Sequence, residues 1–138
     1  MARTVLIDSG AIVAALRRRD QHHLWARSHF EALGDPCLTC EAVLSESFFL
    51  LERATEGKDR LASILERGII VADFSFADHR QETLRLLRRY DDTPMSLADA
   101  CLVRMAELHD DAVVFTTDSD FRAYRKNGRQ AIPLILPS

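Results

Sequence analysis

Lysine is nearly missing from this chain: of 18 basic residues only Lys58 and Lys126 are lysines, and the rest are arginine. Basic charge as a whole is also in short supply. The net charge of −3 lacks the basic excess usual in a simple nucleic-acid binder. No apolar run approaches the ~18–20 residues that a membrane-crossing helix needs. The apolar stretch within Met1-Ala2-Arg3-Thr4-Val5-Leu6-Ile7-Asp8 is short and ends on an acid, unlike a secretory signal. A cytoplasmic protein is therefore expected. Cysteine is scarce, with Cys37, Cys40 and Cys101 only. Cys37-Leu38-Thr39-Cys40 is formally a C-x-x-C, but a structural zinc site needs two further ligands at suitable spacing, and none is evident. A redox pair would want a helix N-terminus, and Cys40 does precede a predicted helix. The simpler expectation is that both are small buried residues at a strand end. The histidines at 22, 23, 29, 79 and 109 show no H-E-x-x-H spacing, and neither a P-loop nor a G-x-G-x-x-G is present.

The 138 residues are 47% hydrophobic and 28% charged, which suits one globular domain over 1–138 and excludes a disordered chain. Short β-rich runs alternate with helical stretches. Thr4–Ile7 reads as a buried strand, followed by a helix over 10–18. Asp20 is set to cap a helix over 21–33, stopped by Gly34 and Pro36. A short strand at 36–39 precedes a helix over 41–56, ended by Gly57, and another over 58–67 with Gly68 as its C-terminal signal. Strand 69–72 leads to an arginine-rich helix over 77–90 and a turn at 91–94. A helix over 97–109, a strand at 112–115, a short helix over 119–126 closed by Asn127-Gly128, and a strand over 132–136 complete the pattern. Pro133 suggests that this last strand lies at an edge. Such alternation predicts a three-layer α/β/α sandwich around a mostly parallel sheet of about five strands, with ligands bound at the strand carboxyl ends.

Acids stand at that functional edge. Asp8 follows the first strand directly, and Asp118 follows the strand at 112–115. Either can also be an ordinary helix cap. Glu46 lies among Ala42, Val43, Phe49 and Leu50 at helical spacing, either partly buried or at a pocket rim, where it needs a cation or an arginine partner. Asp99 sits in Ser96-x-x-Asp99, a pattern resembling a capping box, at the start of a helix apolar nearly all round. Two carboxylates ~4 Å apart at an effective dielectric near 20 repel by roughly 4 kcal/mol. Four sharing one pocket therefore call for a cation, and hard oxygen donors suit Mg²⁺ or Mn²⁺. Arginine clusters at 17–19, at 80, 85, 88 and 89, and at 122, 125 and 129 have the planar fork that fits phosphate; each is also readable as a solvated helix face.

Taken in order, Val5-Leu6-Ile7-Asp8-Ser9-Gly10, Leu44-Ser45-Glu46-Ser47, Pro94-Met95-Ser96-Leu97-Ala98-Asp99-Ala100 and Thr116-Thr117-Asp118-Ser119-Asp120-Phe121 resemble the four acidic motifs of PIN domains. The likeness covers essentially the whole chain and is nearest to the VapC-type toxins of bacterial toxin–antitoxin pairs. It implies a Mg²⁺- or Mn²⁺-dependent endoribonuclease, usually a homodimer, held in check by a small antitoxin protein. Asp8, Glu46, Asp99 and Asp118 would be the metal-binding catalytic acids, with Asp120 a further ligand. Ser9, Thr117 and Arg122 would contact the RNA. Gly10 departs from relatives that carry a bulkier residue there. It also occupies the position where a haloacid-dehalogenase-like phosphatase needs its second Asp. A receiver domain would want a lysine near the last strands, and Lys126 falls in a predicted helix. The alternative of another class is a non-catalytic PIN-fold module that binds RNA or protein.

Overall fold

Four apolar or β-branched residues have no polar face to offer solvent, so Thr4–Ile7 is suited only to the middle of a sheet covered on both sides. In the computed structural model, which describes residues 3–138, these residues form strand β1 (Thr4–Ile7) at the sheet centre. Met1 and Ala2, the start of the segment read above for a targeting pattern, lie outside the described residues. The chain continues through α1 (Ser9–Leu16), α2 (His23–Ala32), β2 (Cys37–Thr39), α3 (Glu41–Leu50), α4 (Gly57–Glu66) and β3 (Ile70–Ala72). Then come α5 (Arg80–Arg89), α6 (Leu97–Leu108), β4 (Ala112–Phe115), β5 (Arg125–Lys126), β6 (Gln130–Ala131) and β7 (Leu134–Ile135). Five strands pair in the order β3-β2-β1-β4-β7, every pairing parallel, and six helices flank the sheet. This is the α/β sandwich that the alternation of elements predicts.

The order of strands reverses between β1 and β4. From β1 the chain winds outward through β2 to β3, then crosses back to β4 and on to β7. Such a reversal opens a crevice at the strand carboxyl ends. Strands β1 and β4 run in register from Thr4 opposite Ala112 to Ile7 opposite Phe115, and the Asp8 N–H continues the ladder to the Phe115 carbonyl at 3.0 Å. The residues that leave the two strands, Asp8 and Thr116, therefore emerge side by side.

Helix α6 is apolar nearly all round, and eight of its residues, from Ala98 to Ala106, are buried against β1, β4 and α5. Edge strand β7 follows Pro133, whose carbonyl accepts from the Val114 N–H at 2.9 Å, as the proline suggests. Gly68 ends α4 in the left-handed conformation, φ 71°. Asp20 is not the cap of α2: its side chain accepts the His22 N–H, but the N-cap is His22, two residues on, and the helix starts at His23 because Asp20 turns the chain first.

The helix expected over 10–18 ends at Leu16, and that over 77–90 is a 3₁₀ turn followed by Arg80–Arg89; two other elements differ more. The helix expected over 41–56 stops at Leu50, and Gly57 opens α4 instead of closing α3. The glycine is there for close approach, since a Cβ would come within 3.0 Å of the Ala54 methyl and the Leu51 carbonyl. The helix expected over 119–126 is only a 3₁₀ turn, Ser119–Arg122, and Lys126 belongs to strand β5. Asn127 and Gly128, both at positive φ, turn a hairpin that pairs Lys126 with Gln130. Asn-Gly is a strong hairpin signal because both residues tolerate that backbone conformation.

Candidate active site

Asp8 is the N-cap of α1, and its backbone is extended where β1 gives way to the helix. The Ser9 N–H donates to Oδ1 at 2.7 Å, and the Thr116 hydroxyl donates to Oδ2 at 2.7 Å. Thr116 Oγ1 also accepts the Asp118 N–H at 2.9 Å. One fully buried hydroxyl thus ties the acid at the end of β1 to the acid beyond β4. The 3₁₀ turn follows because Asp118 Oδ1 takes the Asp120 N–H at 2.9 Å.

Asp99 arrives from a helix packed against β1 and β4. It is the third residue of α6 and forms a full capping box: Asp99 N–H to Ser96 Oγ, and Ser96 N–H to Asp99 Oδ2, both at 3.1 Å. The capping role and the site role coexist, because Oδ1 is not used by the box. The buried Tyr124 hydroxyl donates a long bond, 3.4 Å, to Oδ2. Glu46 is exposed on α3, and its charge acts on Asp8; its neighbour Phe49 is 73% exposed, so that face of α3 is not core.

The electrostatics show that these acids share one field. Asp8 is only 5% exposed, and burial pushes its carboxyl up to about 6. Asp99 and Glu46 push the same way, while the bonds from Thr116 and Ser9 pull against them. Asp99 is also raised, first by burial and then by the charge of Asp118. Asp120 is raised chiefly by Asp118. The five predicted acids thus form a chain of mutual repulsion fed from β1, α3, α6 and the turn after β4. None is neutralised by a basic side chain: among the described residues the ion pairs are Arg27–Glu31 and Arg104–Glu107. Among the same residues, no three His, Cys, Asp or Glu side chains stand in a ready-formed ion cage.

Ser9 opens α1 and is buried. Thr117 is half-buried, and its Oγ1 occupies the space of a side chain at residue 10: a Cβ on Gly10 would stand 2.2 Å from it. Gly10 and Thr117 are therefore coupled. Gly10→Ala alone should fail to deliver the ~1 kcal/mol that alanine normally adds inside a helix, whereas Gly10→Ala with Thr117→Ala should recover it. A double-mutant cycle by urea unfolding measures the coupling; additivity would refute it. Arg122 is exposed on the 3₁₀ turn beside Asp118 and Asp120. Lys126 is buried and donates to the Asp110 carbonyl just before β4, at the opposite sheet edge from the acids, so it has no part in the site.

The cysteines are buried, as expected. The C-x-x-C is not a pair, however. Cys40 is the N-cap of α3, and its thiol contacts that of Cys101, which lowers its pKa; Cys37 lies apart and is pushed up to about 12 by burial. Sequence reasoning missed two site residues. Thr116 is marked only by being a hydroxyl residue at a strand end. Tyr124 carries no local signal.

A parallel sheet with a switch point between its first and fourth strands, and acids drawn there from four segments, defines an α/β domain with an acidic cluster at its strand ends. The PIN domain model matches residues 5–127, and the chain belongs to the PIN domain family. Among solved structures, the chain is similar to Mycobacterium tuberculosis VapC20, described as a sarcin–ricin-loop-cleaving toxin. The TM-score is 0.78 and the identity 20%, over 87% of this chain and 94% of that one. It is also similar to DNA-bound VapBC from Salmonella typhimurium, with TM-score 0.56 and 17% identity over 99% and 98% of the two chains. No curated protein sequence matches it.

Proposed function

We propose that this protein is a divalent-cation-dependent endoribonuclease, a hydrolase of RNA phosphodiester bonds, and the toxin of a toxin–antitoxin pair. The observation that carries the reading is the uncompensated acid cluster at the strand switch point, with the buried Asp8 carboxyl at its centre. The PIN family membership and the fold shared with VapC proteins support it.

The donor set fits a hard cation: carboxylate oxygens only, no thiolate or imidazole, and no arginine or lysine already filling the pocket. Asp8, Glu46, Asp99 and Asp118 are the residues assigned to hold Mg²⁺ or Mn²⁺, with Asp120 contributing directly or through water. When bound, the ion would make water more acidic and offset charge on the phosphate oxygens. Thr116 and the Ser9 N–H hold the Asp8 carboxylate in one orientation, so an ion binding there need not reorganise it. Glu46, exposed on α3, is assigned to accept the proton of the attacking water. Ser9, Thr117 and Arg122 are assigned to the phosphates that flank the cut. In-line attack leaves a 5′-phosphate and a 3′-hydroxyl. A homodimer and a small antitoxin protein partner complete the reading.

Titrating Mn²⁺ or Mg²⁺ into the protein tests it, with thermal unfolding and RNA end-mapping as readouts. An ion at a hundredfold its dissociation constant should add about 2.7 kcal/mol of stability, and cleavage should appear over the same concentration range. Absence of both effects would identify a non-catalytic binding module instead. No helix among the described residues is long and apolar enough to cross a membrane.

A further inference from the structure

The densest arginine cluster is not at the acids. Helix α1 leads away from Asp8, and its eight residues at 1.5 Å each carry the chain about 12 Å to Arg17. There, beyond the C-terminal ends of α1 and α3 and beside the start of α4, lies an open cleft of about 720 Å³. Arg17, Arg18, Arg19, Arg53 and Arg60 line it, and Glu56 is its only acid.

Two of these arginines have a structural task. The Arg17 guanidinium donates to the Leu50 carbonyl, and Arg60 Nη1 donates to the Leu16 carbonyl at 3.1 Å. Both acceptors belong to helix ends, where the last carbonyls lack intrahelical donors. Arg18, Arg19 and Arg53 have no such task. They are exposed, and among the described residues none is hydrogen-bonded through its side chain or paired with a carboxylate. Five guanidinium groups around one hollow repel one another, and an anion inside relieves that repulsion.

We propose that this cleft binds the phosphodiester backbone of RNA, remote from the acid pocket. The proposal rests on the ribonuclease reading for the identity of the polyanion. The cleft suits a nucleic-acid backbone better than an acidic polypeptide. Its charge is all guanidinium, whose fork matches phosphate oxygens in pairs. A docked polypeptide would need an exposed apolar anchor, and the cleft offers none: Leu16 is buried and Ala54 is small. A folded RNA that reaches from crevice to cleft would gain affinity that a few nucleotides at the acids cannot.

The test is binding of a fluorescent RNA stem-loop to the full chain carrying Asp8→Asn, so that no cutting intervenes. Arg18→Ala/Arg19→Ala/Arg53→Ala should weaken binding at least tenfold. It should also flatten the dependence of log affinity on log salt by about 2–3, as expected for losing three phosphate contacts. Glu56→Gln should tighten binding a few-fold, and a labelled trinucleotide should bind all variants alike. The charge-matched control Arg67→Ala/Arg85→Ala/Arg88→Ala removes three exposed arginines elsewhere. An equal loss in that control, or no loss in the cleft variant, overturns the proposal. So does cleft-dependent binding of polyglutamate without cleft-dependent binding of RNA. Failure of the nuclease reading is separate, because it shows as absence of metal-dependent cutting by the wild-type chain whatever the binding assay gives.

Discussion

Asp8→Asn should make the protein more stable near neutral pH while reducing RNA cleavage by about 100-fold or more. Asp8 is 5% exposed, and its carboxyl is raised from 3.8 to about 6, first by burial. A group whose folded pKa is raised binds its proton more tightly in the native state than in the unfolded one. Its contribution is therefore fully present below the unfolded value and is lost as pH climbs through the folded one. The window runs from about 3.8 to about 6. Above it, wild type carries an ionised carboxylate that the fold disfavours by about 3 kcal/mol, from about two pH units at 1.36 kcal/mol each. Asparagine removes the charge but weakens the bonds from Ser9 and Thr116, so the expected net gain is about 1–3 kcal/mol. Urea unfolding in a chelator at pH 8 should show this gain, and at pH 4, where the wild-type carboxyl is protonated in the fold, the gain should vanish. A divalent cation should reverse the ranking by stabilising wild type alone. Loss of stability in Asp8→Asn at pH 8 without metal would mean that Asp8 is a structural cap and not a strained acid.

The second large effect belongs to a residue that sequence reasoning passed over. Thr116→Val keeps shape and removes a hydroxyl that serves two acids. Asp8 Oδ2 loses its donor at 2.7 Å, and the Asp118 N–H loses its acceptor at 2.9 Å. Unsatisfied polar groups of this kind cost about 1–3 kcal/mol each, so a total of about 2–6 kcal/mol is expected. Cleavage should fall about 10–100-fold, as it does when groups that orient metal-binding side chains are removed. Thr116→Ser restores the hydroxyl and should recover most of both. If serine fails to rescue cleavage while restoring stability, the hydroxyl is a structural link only. Thermal unfolding and cleavage rate on the same three proteins separate the cases.

How legible the site was depended on how local each signal is. Asp8 and Asp118 stand out because an acid directly after an apolar strand is conspicuous in one short segment. Asp99 is equally visible, although its capping box concealed whether it did anything more. Glu46 was flagged on a face taken as apolar, yet Phe49 and Glu46 are both exposed, so the buried-face argument does not hold. Thr116 and Tyr124 reach the acids across 108 and 25 residues of sequence, and no window contains both partners. The misread helix at 119–126 has a similar origin. The Asp118 side chain tightens the turn to a 3₁₀ form, and pairing with β6 then claims Arg125 and Lys126.

What the sequence by itself determined is the succession of strands and helices and the placing of acids at strand ends, because periodicity and end signals act over a few residues. Only the tertiary structure decided that β1 lies beside β4, that a single threonine hydroxyl joins two of the acids, and that the arginines of residues 17–19 gather with Arg53 and Arg60 at the other end of α1. Strand order and charge convergence are properties of long-range packing. Apolar burial can hold like charges together there, provided other groups fix them in place.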